Sequence, residues 1–144
     1  MSPHIRPSRP DEVDRLVDIW RRAVDATHHF LTIEDRLAIE AEVRAFFPAA
    51  EFVVACDAHD VPVGLMLMDG AHLEALFIDP DRHGQGIGRA LLQSVISQHD
   101  GITTDVNEAN SPALGFYKRM GFQTVGRSDL DSQARPYPLL HLRR

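Results

Sequence analysis

The sequence predicts a single α/β domain, residues 1–144, whose mixed and mostly antiparallel sheet is flanked by about four helices. Three observations predict it. Residues 72–93, HLEALFIDPDRHGQGIGRALLQ, pass from an apolar β-rich run through a glycine-spaced turn into a segment of helical apolar period. Two further β-rich runs, 51–57 and 61–68, precede it, separated by the compact turn Ala58-His59-Asp60. Beyond it, 102–106 reads as a strand that a helix separates from 72–78, which makes those two strands parallel.

Taken in order, 4–7 reads as an opening strand. Ser8 with Pro10, Asp11 and Glu12 marks the start of a helix carrying Val13, Leu16, Val17, Trp20 and Val24 at helical spacing, and 25–31 breaks that period. Thr32 can cap a second helix with Leu37, Val43, Phe46 and Phe47 at its apolar positions, closed by Pro48. The strands 51–57, 61–68 and 72–78, joined by short turns, form an antiparallel meander. The helix after the glycine turn is expected to end near Gly101. Asn110 or Ser111 can cap another that tolerates Pro112, presents Leu114, Phe116 and Tyr117, and stops at Gly121. Strands at 122–126 and 137–142, joined by the polar turn 127–136, close the chain. The element order is therefore β, α, α, β, β, β, α, β, α, β, β.

Composition narrows the chemistry. Hydrophobic residues make up 44% and charged residues 25%, as in ordinary globular domains. The net charge of −6 argues against a nucleic-acid backbone as partner and fits a cationic substrate better. No apolar run approaches a membrane span and the N-terminal stretch lacks a signal-peptide core, so the cytoplasm is the expected compartment. Cys56, the only cysteine, lies in the apolar run FVVAC and reads as core rather than nucleophile. Among eight histidines only His28-His29 are adjacent and no helical metal spacing occurs, so no metal is expected.

The glycines at 84, 86 and 88 before a helix expose backbone N–H groups at the positive end of a helix dipole, which suits a phosphate or pyrophosphate. Gly88 is followed by Arg89 and Ala90 rather than by Lys and Ser or Thr, so this is not a P-loop. Nor is the spacing Gly84-x-Gly86-x-Gly88 that of the dinucleotide fingerprint.

Three blocks, LEALFIDPDRHGQGIG, NEANSPALGFY and KRMGF, together resemble the GNAT superfamily of acyl-CoA-dependent N-acetyltransferases, and the element order extends the resemblance along essentially the whole chain. The resemblance implies a sheet splayed at its central parallel strand pair, acetyl-CoA as donor and cosubstrate, and an amine as acceptor. It assigns the pyrophosphate to His83, Gly84, Gln85, Gly86, Ile87, Gly88 and Arg89, although His83 stands where the family usually has arginine. It assigns the pantetheine to main-chain groups of Phe77 and Ile78 and to Asn110.

Tyr117 matches the family's tyrosine near the thioester sulfur, where a phenol can protonate the leaving thiolate; a core aromatic is the plainer reading. Attack requires a neutral amine, and the candidate bases are Asp105 and Glu74, with His72, which shares a strand face with Glu74, as a relay, and a water chain as the alternative to all three. Asn107 projects to the face of Asp105 and can orient substrate or water, while an N–H group near Ile78 can stabilise the oxyanion. His28 and Phe30 are candidates for the acceptor rim, with helix packing as their alternative. Cys56 lies outside both signature blocks, so direct attack in a ternary complex is expected. The acceptor the resemblance favours is a protein lysine or N-terminus. A small amine such as a polyamine or antibiotic, or a non-catalytic acyl-CoA-binding module, are the competing readings. The state is monomer or homodimer, with neither nucleic acid nor membrane as partner.

Overall fold

The computed structural model describes residues 3–144. Its elements are β1 (His4–Pro7), α1 (Val13–Thr27), α2 (Ile33–Phe46), β2 (Val53–Cys56), β3 (Pro62–Asp69), β4 (His72–Ile78), α3 (Ile87–Ile96), β5 (Thr103–Asn107), α4 (Ser111–Arg119), β6 (Gln123–Ser128) and β7 (Leu139–Arg143). The strands are ordered β1-β2-β3-β4-β5-β7-β6. All neighbours with a resolved register are antiparallel except β4 and β5, whose parallel ladder is two pairs long, His72↔Thr103 and Leu73↔Thr104. The chain divides into two compact units.

The first unit runs to Leu67 and includes Ala75–Val95. Its core gathers Leu16, Ile19, Trp20 and Val24 of α1 with Phe47, Phe52, Val54 and Leu65, and Phe77 packs against this cluster. The α1 stripe read from spacing is buried as expected, but the helix continues through Thr27 instead of breaking at Asp25. Ser8 does not cap it: its hydroxyl accepts from Phe52 N–H at 3.1 Å, and the turn before α1 is closed by Glu12 accepting from Arg9 N–H at 2.8 Å. Thr32 caps α2 by accepting from Asp35 N–H at 3.1 Å. The apolar face expected of α2 is only partly inward. Val43 packs on the core, while Leu37 and Phe46 are exposed, because the inward side of this helix is held by Arg36, which lies 4.8 Å over the Trp20 ring and pairs with Asp25 and Glu40.

Asp79 ties the end of β4 into this unit. Its buried carboxylate accepts from Arg15 at 2.8 Å, pairs with Arg22 at 2.8 Å and accepts from Asp81 N–H at 3.0 Å. Burial alone would push this carboxyl up; the Arg15 hydrogen bond, with Arg22 beside it, holds it below its usual value.

The second unit comprises Met68–Glu74 and Ile96–Arg144. The predicted closing strand does more than pair with its predecessor: β7 inserts between β5 and β6 and pairs with both, with Asp105↔His141 and Gly126↔His141 in register. The helix α3 ends at Ile96, short of the expected Gly101, as the polar run after it turns through His99 N–H to the Ile96 carbonyl at 3.4 Å. The strand β6 runs to Ser128 and β7 begins at Leu139, so the polar turn lies two residues beyond its predicted place.

Candidate active site

In the first unit the glycine turn takes the form its spacing requires. Gly84 and Gly86 have φ of +79° and +77°, and nothing lies within 4 Å of where a Cβ would stand at either. Ala90 N–H donates to the Gly86 carbonyl at 3.0 Å, which makes Gly86 the residue before the first turn of α3. The N–H groups of Ile87, Gly88 and Arg89 therefore have no intrahelical acceptor and share the positive end of the helix dipole. His83, Gln85 and Arg89 are exposed around them, and Ile87 is buried. This open, donor-rich backbone fits a pyrophosphate, and the His83 side chain makes none of the contacts that form it.

The first turn of α3 is seated by contact with β3. A Cβ at Gly64 would lie 2.9 Å from both Ile78 Cδ1 and Ile87 Cγ2, so the glycine lets the end of β4 and the start of α3 meet over it. A recess of about 500 Å³ beside the turn is lined by Arg82, Gln85 and Ile87 and also by Cys56. In space, then, Cys56 is not remote from the first signature block. It remains a core residue: it is buried, and burial pushes its thiol up, away from the reactive thiolate.

His28, at the end of α1, is held by its neighbours. Its ring lies 5.2 Å from that of Phe30, and its Nδ1 is 2.8 Å from Thr27 Oγ1. Thr27 spends its hydroxyl hydrogen on the Ala23 carbonyl at 2.9 Å, so His28 Nδ1–H is the donor in that pair and Nε2 carries the lone pair. Burial, with His29 beside it, lowers its pKa to about 4, so the ring is neutral at neutral pH.

In the second unit, β5 presents two different chemistries on its two faces. On one, Thr104 is buried and donates its hydroxyl hydrogen to the Leu73 carbonyl at 2.9 Å, and Tyr117 packs between Phe116 and Phe122 at 5.2 Å from each ring. Burial pushes the phenol well above its ordinary range, so it stays protonated. Asn110 caps α4 by accepting from Ala113 N–H at 3.3 Å.

On the other face the Asp105 carboxylate gathers two histidines. Its Oδ1 is 2.6 Å from His141 Nδ1, and its Oδ2 is 3.3 Å from His72 Nε2. Thr103 Oγ1 lies 2.7 Å from His72 Nδ1, and Ser128 Oγ lies 2.6 Å from His141 Nε2. Of the expected bases, Asp105 and His72 are thus brought together, whereas Glu74 is exposed beside them and Asn107 lies two residues along β5. Tyr117 and Asp105 do not share a face. His141 and Ser128 escaped the sequence reading. The one signal was a histidine between Leu140 and Leu142, and its meaning depends on β7 lying beside β5.

Residues 24–134 match the family model described as the acetyltransferase (GNAT) domain, a span that takes in most of both units. The chain belongs to the GNAT acetyltransferase family. It is 51% identical over 96% of its length to the peptidyl-lysine N-acetyltransferase YjaB of Salmonella typhimurium, covering 96% of that protein. The corresponding protein of Escherichia coli is likewise 51% identical over 96% of this chain and 94% of its own. The solution structure of apo-form YjaB from Escherichia coli superposes with a TM-score of 0.94 at 50% identity, covering 99% of this chain and 97% of that one. As a GNAT acetyltransferase this chain is an N-acetyltransferase that takes its acyl group from acetyl-CoA. Among the described residues no helix is long and apolar enough to cross a membrane.

Proposed function

We propose that this protein, acting as one domain, acetylates lysine side chains of other proteins by direct attack of the amine on acetyl-CoA. The observation that carries the reading is the pair of relatives named as peptidyl-lysine N-acetyltransferases, alike over nearly all of both chains. The acidic balance, a net charge of −6, suits a cationic acceptor.

The residues divide the work by chemistry. The glycine turn, through the N–H groups of Ile87, Gly88 and Arg89, holds the pyrophosphate. Main-chain groups of Phe77 and Ile78 take the pantetheine, and Ile78 N–H faces the carbonyl oxygen as charge develops on it. Asn110, which caps α4, is the side chain that the family resemblance assigns to the pantetheine. Tyr117 protonates the leaving thiolate, with burial keeping the phenol in its protonated form at neutral pH. On the opposite face of β5 the His72–Asp105–His141 group receives the proton that the lysine ammonium must lose. Asp105 and Glu74 then act as charges that draw the ammonium in, with Asn107 orienting it; His28 and Phe30, in the first unit, are the further acceptor-contact candidates. The protein works in the cytoplasm, as a monomer or homodimer.

Isothermal titration with acetyl-CoA, with ATP as control, tests the donor half. Saturable binding of acetyl-CoA and none of ATP is the expected result; a folded protein that binds neither at millimolar ligand would reject it.

A further inference from the structure

Ser128, His141 and Asp105 form a line of hydrogen bonds from one strand to the next: Ser128 Oγ to His141 Nε2 at 2.6 Å, and His141 Nδ1 to Asp105 Oδ1 at 2.6 Å. The three lie side by side on β6, β7 and β5, where Asp105 and His141 are register partners and Gly126 faces His141. A carboxylate only accepts, so Nδ1 carries the hydrogen that meets Asp105. A neutral His141 therefore has its lone pair on Nε2, and Ser128 donates its hydroxyl hydrogen to it. The seat is shaped for the ring: a Cβ on Gly126 would come 3.3 Å from His141 Cδ2, and a bulge between Thr124 and Gly126 turns β6 around it.

We propose that His141 is the proton acceptor of the transfer reaction, receiving the lysine proton through Ser128, with Asp105 as the positioning residue that orients the ring. This rests on the reading of the protein as a lysine acetyltransferase. The ammonium gives one N–H hydrogen to Ser128 Oγ as Ser128 passes its own hydrogen to His141 Nε2. The neutral amine then forms the N–C bond to the acyl carbon while the C–S bond breaks and Tyr117 protonates the sulfur. The imidazolium beside the Asp105 carboxylate returns its proton to solvent, to which about a third of the His141 side chain is open.

Asp105 itself is the weaker candidate. Its carboxylate already accepts from His141 through one oxygen and faces His72 with the other, so both oxygens are engaged. His72 is also the looser partner, at 3.3 Å from Asp105 against 2.6 Å for His141. The charged groups around His141 on this face are Asp105 and, beyond it, His72 and Glu74, with Arg143 two residues along β7.

The test is steady-state transfer from acetyl-CoA to two peptides, one with lysine and one with 2,3-diaminopropionate in its place, whose side-chain amine loses its proton more readily. His141→Gln is expected to lower kcat for the lysyl peptide about 100-fold or more near neutral pH, with KM for acetyl-CoA unchanged. The loss should shrink to within about tenfold near pH 10, where much of the lysine is already neutral, and should be smaller for the diaminopropionyl peptide at every pH. Ser128→Ala, which leaves ring and carboxylate in place, should show a milder loss with the same rescue. Wild-type kcat in His141→Gln near neutrality overturns the proposal, as does a loss of equal size at all pH values and for both amines. A wild-type protein that binds acetyl-CoA yet acetylates neither peptide overturns the lysine acetyltransferase reading and the proposal with it, an outcome visible before any variant is made.

Discussion

Thr104 donates its single hydroxyl hydrogen to the Leu73 carbonyl at 2.9 Å and so ties β5 to β4 on the face where Tyr117 is buried. The next residue, Asp105, turns the other way and accepts from His141 at 2.6 Å. Two consecutive residues of β5 thus turn to opposite faces of the sheet, as the alternation of a strand dictates. The proposed acid, Tyr117, is buried, while the proposed proton acceptor, His141, is partly open to solvent.

Tyr117→Phe should separate chemistry from binding. The aromatic packing with Phe116 and Phe122 is retained and Thr104 keeps its bond to Leu73, so the stability cost is about 1 kcal/mol or less. kcat should fall by roughly 100-fold or more with acetyl-CoA affinity nearly unchanged, read by stopped assays beside calorimetric titration. An unchanged kcat would remove Tyr117 as the acid.

Gly64→Ala should damage the donor site from a distance. The added methyl would lie 2.9 Å from Ile78 Cδ1 and Ile87 Cγ2 and 3.2 Å from Leu91 Cδ1, so the start of α3 must give way. Overpacking of this kind costs about 1–3 kcal/mol. Urea midpoints and acetyl-CoA titration should both shift; a variant with wild-type stability and affinity would show that the seat is softer than its geometry.

Asp79→Asn removes a buried charge from between Arg15 and Arg22, each at 2.8 Å, and leaves two partly exposed guanidinium groups without it. The expected loss is about 2–4 kcal/mol in urea unfolding, discounted for the exposure of the arginines. Because the folded carboxyl titrates below its usual 3.8, the stability it adds is present above that pH and is lost as the pH falls further. A loss under about 0.5 kcal/mol would mean that the pairs only offset the cost of burying the carboxylate.

His28 gives the fold a milder acid sensitivity. With the folded ring titrating at about 4 against an ordinary 6.5, the unfolded chain binds a proton in that window which the folded chain refuses. Stability therefore falls as pH drops from 6.5 towards 4, with a slope of up to about 1.4 kcal/mol per pH unit from this one group. His28→Asn should flatten that slope. Equal slopes for variant and wild type, in unfolding series at several pH values, would contradict the burial of this ring as its cause.

What was legible in the sequence was whatever is encoded locally. β4 occupies His72–Ile78 as its apolar run indicated, the glycine turn has its left-handed residues at 84 and 86, and Thr32 and Asn110 cap the helices they precede. Misreadings arose where a distant partner decides. Leu37 and Phe46 have apolar side chains at helical positions, but the inner side of α2 is taken by Arg36 on Trp20. Ser8 has the chemistry of a cap and uses it on Phe52. His141 matters only because β7 lies between β5 and β6, an exchange of strand order that no alternation of residues records. Sequence could nominate Asp105, but not that β4 and β7 bring His72 and His141 beside its carboxylate.

Transfer to lysine is read by mass spectrometry of a lysine-bearing protein substrate incubated with acetyl-CoA, alongside titration of released thiol. Acetylation at lysine Nζ is expected, with one thiol released for each acetyl group transferred and both signals lost in Tyr117→Phe. Binding of acetyl-CoA with no acetylated lysine and no thiol released, across a panel of protein substrates, would contradict it.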